Sequence, residues 1–71
     1  MYQNIGMNIR LFRIKHRIDI DAIVKEAEIA RNSIYKIERG ELHGKSFVKY
    51  IMFIKYKGAN LDEIFNIEDY N

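Results

Sequence analysis

The chemical content of this chain is concentrated in residues 19–40, Asp-Ile-Asp-Ala-Ile-Val-Lys-Glu-Ala-Glu-Ile-Ala-Arg-Asn-Ser-Ile-Tyr-Lys-Ile-Glu-Arg-Gly. Two short amphipathic helical patterns lie there, separated by only three or four residues, and the second ends in Ile-Glu-Arg-Gly. Helices joined so tightly must cross at a steep angle, and such a unit can place its second helix in the DNA major groove. Bond-making chemistry finds no comparable support. The chain has no cysteine, and His16 and His43 are far apart without ligand-like spacing, so no metal site is expected. There is no Gly-rich phosphate loop and no nucleophile motif, so neither an enzyme activity nor a cofactor is expected.

The charge pattern agrees with a polyanionic partner. Residues 1–58 hold all 12 Lys and Arg against six acids, an excess of +6, whereas residues 59–71 hold Asp62, Glu63, Glu68 and Asp69, a charge of −4. A basic body with an acidic tail suits a polyanion on one side and another partner on the other. At 71 residues the chain makes one small domain, a core over 5–66 and an acidic tail over 67–71. Without cysteines, its stability must come from helix packing, helped by dimerisation. The longest apolar run, Tyr50 to Ile54, is too short to span a bilayer and no signal peptide is visible, so a soluble cytoplasmic protein is expected.

The elements that must position residues 19–40 are helices. Ile5, Ile9, Phe12 and Ile14 follow a helical period, which predicts a first helix over about 2–16. Asp19 is suited to cap a second helix over about 20–27, with Ile23, Val24 and Ala27 inward. A third helix over about 31–39 buries Ile34 and Ile37, and Gly40 stands where a left-handed residue ends it. Glu41 to Lys45 read as a loop turned by Gly44. Ser46 then caps a fourth helix over about 47–57 whose inner face is Phe47, Tyr50, Ile51 and Ile54, with Met52, Phe53 and Tyr56 outward. Gly58 ends it. Asn60 and Glu63 form a capping box before a short fifth helix over about 61–66. Strands are poorly supported, so the expected class is all-α with five short helices.

The order and spacing of several short strings resemble the Cro and lambda-repressor family, the Xre-type helix–turn–helix domains. The strings are Ile5-Gly6, Ile9-Arg10-x-Phe12-Arg13, Ile23-Val24, Ile29, Ser33-Ile34, Ile37-Glu38-Arg39-Gly40 and Gly58-Ala59-Asn60-Leu61-Asp62-Glu63-Ile64-Phe65. The resemblance covers about residues 5–65. It implies a compact five-helix fold with the helix–turn–helix at the second and third helices.

It also implies roles by position. Arg31, Asn32, Ser33, Tyr35 and Lys36 would face the groove, where Arg and Lys suit guanine O6 and N7 and Asn suits adenine N6 and N7. Arg10, Arg17, His43, Lys45 and Ser46 would meet phosphates, which position the protein and set its salt dependence. Arg13 and Glu38 would form an ion pair tying the first helix to the third. Leu61, Ile64, Phe65 and Ile67 would pair two copies at the C-terminal end, reading a near-palindrome with half-site centres about 10 bp apart.

Departures from the family pattern fall after the first helix and in the helix–turn–helix. Ile20 replaces the usual glutamine that reaches a phosphate, Glu28 and Arg17 replace glycines, and Ala30 replaces the Ser or Thr cap of the third helix. A positive φ at Glu28 would cost about 1 kcal/mol relative to glycine, and the missing cap about as much again. The expected function is a homodimeric transcriptional repressor that binds double-stranded DNA. The alternative is a protein-interaction module, or antitoxin-like partner, that keeps the helix–turn–helix as scaffold and binds another protein through its C-terminal helix.

Overall fold

The computed structural model describes residues 2–65. They form five helices and no strand: α1 (Tyr2–Lys15), α2 (Ile20–Glu26), α3 (Arg31–Glu38), α4 (Gly44–Tyr56) and α5 (Leu61–Phe65). Three of them stop in the same way. After α1, α3 and α4 a residue of left-handed backbone follows the last turn, and the next amide reaches back five residues. Ile18 N–H donates to Arg13 O (3.0 Å), Glu41 N–H to Lys36 O (3.0 Å) and Ala59 N–H to Ile54 O (2.9 Å). The left-handed residues are Arg17 (φ 54°), Gly40 (φ 109°) and Gly58 (φ 102°). Arg17 carries a Cβ into that region at a cost of about 1 kcal/mol.

The helix starts are weaker. Asp19, Ala30 and His43 occupy the N-cap positions of α2, α3 and α4 with extended backbone, and none makes a side-chain cap hydrogen bond. Asp19 therefore holds its expected place without the expected bond. The fourth helix begins three residues before the expected start: Gly44, at φ 85°, lets the chain turn directly into it. Ser46 consequently lies inside its first turn and is not its cap. At α5 only half of the capping box forms. Asn60 Oδ1 accepts from Asp62 N–H at 2.9 Å, while Glu63 is exposed and makes no return bond among the described residues.

α1 is the central strut, packed against α3, α4 and α5. Its Ile5 and Ile9 meet Ile23, Ile29, Ile34, Ile37, Tyr50, Phe53, Ile54 and Ile64 in one core. Gly6 makes the closest approach: a Cβ there would sit 2.6 Å from Ile37 O and 2.9 Å from both Glu38 O and Gly40 N. Asn8, two residues on, donates to Ile64 O at 2.9 Å and so holds the end of α5 against α1.

Two inward–outward assignments are corrected. Ile14 is exposed, because it lies two residues past Phe12 and so on the side of α1 away from Ile5 and Ile9. Phe53 is buried, not outward: it joins the core, and Lys57, paired with Glu26 at 3.4 Å, lies over its ring at 5.3 Å from the centroid. Among the described residues no helix is long and apolar enough to cross a membrane.

Candidate nucleic-acid interface

α3 turns Ile34, Ile37 and Glu38 inward and leaves Arg31, Asn32, Tyr35 and Lys36 exposed, with Ser33 partly covered. The geometry of this polar face depends on how the two ends of the helix are held.

At the C-terminal end, Glu38 is the one charged residue buried among those described, at 8% exposure. Arg13 of α1 grips it with two parallel bonds, Nε to Oε2 at 2.8 Å and a terminal guanidinium nitrogen to Oε1 at 3.0 Å. The Tyr50 hydroxyl of α4 donates a third bond to Oε2 at 2.6 Å. Such forked, charge-assisted contacts fix orientation as well as position. The hydrogen bonds to Glu38 raise the Arg13 pKa further, against the opposing effect of burial. Burial, reinforced by the bond to Glu38, pushes the Tyr50 hydroxyl far above its ordinary range. Three helices therefore meet at one carboxylate, and every buried side-chain polar atom among the described residues has a partner.

The N-terminal end is held at the surface. Arg31 pairs with Asp21 of α2, and both side chains are mostly exposed. Between the helices, Glu28 takes φ 56°, a left-handed conformation that strains a residue carrying a Cβ. Lys49 of α4 donates to the Glu28 carbonyl at 3.4 Å, giving that exposed peptide a partner. Ile20 packs partly buried on the core rather than reaching outward.

Ser33 and Lys36 come together with His43, Lys45 and Ser46 in one shallow cleft of about 270 Å³ between α3 and the start of α4. Glu41 also lines it and lies 4.0 Å from Arg39. Five of the ten residues expected to face groove or phosphate thus share a site, and Arg31, Asn32 and Tyr35 continue it along the exposed face of α3. The remaining two do not join the cleft. Arg10 is exposed on α1, one turn before Arg13. Arg17 lines a separate hollow with Asp19, Glu26 and Lys57.

The C-terminal residues divide differently from the expectation. Ile64 is 5% exposed and belongs to the core of the single chain, because α5 packs on α1, so it is not available to a second copy. Phe65 is partly buried, edge-on to Phe47 with centroids 6.5 Å apart. Leu61 remains partly exposed, and Ile67 lies outside the described residues.

Three positions that hold α3 and its turn carry little or no signal in the sequence. Tyr50 belongs to the expected core, and the need of an inner-face tyrosine for a hydroxyl partner is a usable signal of its bond to Glu38. Asp21 and Lys49 gave none, since an exposed charge on a helix is ordinary. No protein-family model, curated protein or solved structure matches the chain.

Proposed function

We propose that this chain is a sequence-specific DNA-binding transcriptional regulator, a homodimeric repressor of the Cro and lambda-repressor kind, with α2 and α3 as its helix–turn–helix. The observation that carries the reading is the shared site: Ser33 and Lys36 of α3 line one open cleft with His43, Lys45 and Ser46, beside an exposed face of Arg31, Asn32 and Tyr35. Cations, an amide and hydroxyls at that spacing suit base edges along α3 and phosphates at the cleft margin. The buried grip on Glu38 supports it further, because a helix that reads base edges must be presented in one orientation.

In this mechanism α3 enters the major groove, Arg31, Asn32 and Lys36 discriminate bases, and Lys45, Ser46 and His43 anchor the backbone. Arg10 and Arg17 become peripheral to it. Two copies joined through the exposed edges of Leu61 and Phe65 would set the recognition helices about one turn of DNA apart. In this reading, repression proceeds by occluding polymerase.

Selection of bound duplexes from a random library near physiological salt tests this directly. A near-palindrome with half-sites about 10 bp apart is the expected result. Random sequences with weak, steeply salt-dependent binding would reduce the basic face to an electrostatic footprint.

The Asp21–Arg31 pair favours a second reading, a protein-interaction module built on the same scaffold, since it already occupies the foremost cation of α3. Charge reversal at Arg31 and Lys36 separates the two. A DNA reader loses function without unfolding, whereas an interaction module is indifferent.

A further inference from the structure

α4 carries three lysines and no acidic residue, and it has an exposed apolar stripe that the proposed DNA site does not use. Val48, Met52 and Tyr56 are spaced by four residues and are 55%, 65% and 84% exposed. They form one line along the helix, about 12 Å long. Its inner residues Tyr50, Phe53 and Ile54 are held in the core, so the helix cannot roll to hide the stripe. Beside the stripe a groove of about 350 Å³ runs between α4 and the end of α2, floored by Ala27, Met52 and Phe53. It continues past Lys49 into a second apolar hollow at Val48 and Lys45.

The charges beside the stripe all have one sign on α4. Lys49 and Lys55 stand three residues to either side of Met52, on opposite flanks of the line, and Lys45 extends it at the N-terminal end. Glu26, at the groove's edge, is already paired with Lys57.

We propose that this groove docks an amphipathic helix of a partner protein whose own apolar stripe is flanked by acidic residues. An apolar line with spacing of four is what a helix with anchors at i, i+4 and i+7 covers, and the lysines select acids beside those anchors. A second copy of this chain fits poorly. A two-fold axis through Met52 with antiparallel α4 helices sets Lys49 beside the other copy's Lys49 on one flank and Lys55 beside its Lys55 on the other, with no acid on α4 to offset them. An anionic membrane fits less well than a helix, because the stripe is one residue wide and its helix is locked in the core, whereas interfacial helices bury a broad apolar face. The docking surface shares only Lys45 with the residues proposed to meet DNA, and its test uses the free chain, so either can fail alone.

The test is a titration followed by amide and methyl NMR on the full chain. The probe is a synthetic helical peptide with leucines at i, i+4 and i+7 flanked by glutamates. Expected are shifts confined to Ala27, Val48, Lys49, Met52 and Tyr56. Affinity should fall about tenfold or more in Met52→Glu, as for a central apolar anchor, and comparably when the probe's glutamates become lysines. Both Met52 and Tyr56 are exposed, so Met52→Glu and a second variant, Tyr56→Lys, should keep the wild-type fold by circular dichroism. Four results would each overturn the proposal. They are shifts centred on Met7, Leu11 and Ile14 of α1, a response indifferent to probe charge, and self-association in sedimentation that Met52→Glu abolishes. The fourth is Met52-dependent binding to phosphatidylglycerol vesicles with no response to the peptide.

Discussion

Two arginine–carboxylate pairs hold α3, one at each end, and they differ in every physical respect except the chemistry of the groups. Arg13–Glu38 is forked, its carboxylate is buried, and it is completed by Tyr50. Asp21–Arg31 is a single contact between mostly exposed side chains. In low dielectric the first pair cannot trade its partners for water without a large penalty, whereas the second can do so at almost no cost. One end of α3 is therefore fixed by protein, and the other, which meets DNA in the proposed function, is held by a contact a ligand could replace.

The largest effect should come from breaking the buried pair on one side only. Glu38→Ala leaves the Arg13 guanidinium without its carboxylate, and Arg13→Met leaves a buried carboxylate with only Tyr50. Each should destabilise by about 3 kcal/mol or more. The double variant should cost clearly less than the sum, since neither charge is then stranded, and urea unfolding of the four proteins measures the coupling. Additive losses would mean that the two groups act independently and that the forked geometry is incidental.

Next in size is Gly6→Ala, which probes the same end of α3 through packing alone. The new methyl meets two carbonyl oxygens and an amide nitrogen of backbone, so α1 and α3 must separate. A loss of about 2–3 kcal/mol is expected, large for a glycine-to-alanine change inside a helix, where propensity by itself would favour alanine. A neutral or stabilising result would show that the two helices have slack at their closest approach.

Tyr50→Phe removes one of the three bonds to Glu38 and should cost about 1–2 kcal/mol at neutral pH. Its pH dependence is more telling. The Tyr50 pKa is raised in the folded protein, chiefly by burial and then by the bond to Glu38. Below the unfolded value of about 10 both states hold the proton and the contribution is complete. As pH rises above it, the unfolded chain releases the proton and the folded protein does not, so stability falls. The difference in unfolding free energy between wild type and Tyr50→Phe should therefore be constant below about pH 9 and shrink above it. A constant difference through the alkaline range would place the hydroxyl in a site that tolerates ionisation.

The contrast between the two ends also describes what was legible in the sequence. The buried end announced itself. The family resemblance implied the ion pair of Arg13 and Glu38, Gly40 marked the helix stop, and α1 to α3 fall within a residue or two of their expected bounds. α4 was less legible: Phe47, Val48, Tyr50, Ile51, Met52, Phe53, Ile54 and Tyr56 surround the helix, so periodicity alone could not choose the inner face. What settles Phe53 is Lys57 and Glu26 closing over it, a tertiary contact with no local signal. At the exposed end, Arg31 was visible as a cation on α3, but its pairing with a residue ten positions earlier depends on the crossing of α2 and α3. Glu28 shows the middle case. The resemblance, which has glycine at that place, raised a positive φ only as a condition; the structure has it, and the lysine that meets its carbonyl comes from α4.

The smallest effect on stability, and the most informative for function, is expected at the exposed pair. Asp21→Asn removes a charge held by one contact in solvent and should shift stability by less than about 0.5 kcal/mol. On the DNA-reading proposal its effect on binding is opposite in kind. Asp21 repels phosphate and competes for the Arg31 guanidinium, so its neutralisation should tighten binding to a selected duplex severalfold. The gain should be largest at low salt, where charge–charge terms are least screened. Arg31→Gln, tested beside it, should weaken binding and remove most of the benefit of Asp21→Asn, because both changes act through the same side chain. Equal affinities in wild type and Asp21→Asn would take Arg31 off the nucleic acid. A stability loss above about 1 kcal/mol would show instead that this pair helps to set the crossing of α2 and α3, and the two ends of α3 would then be alike after all.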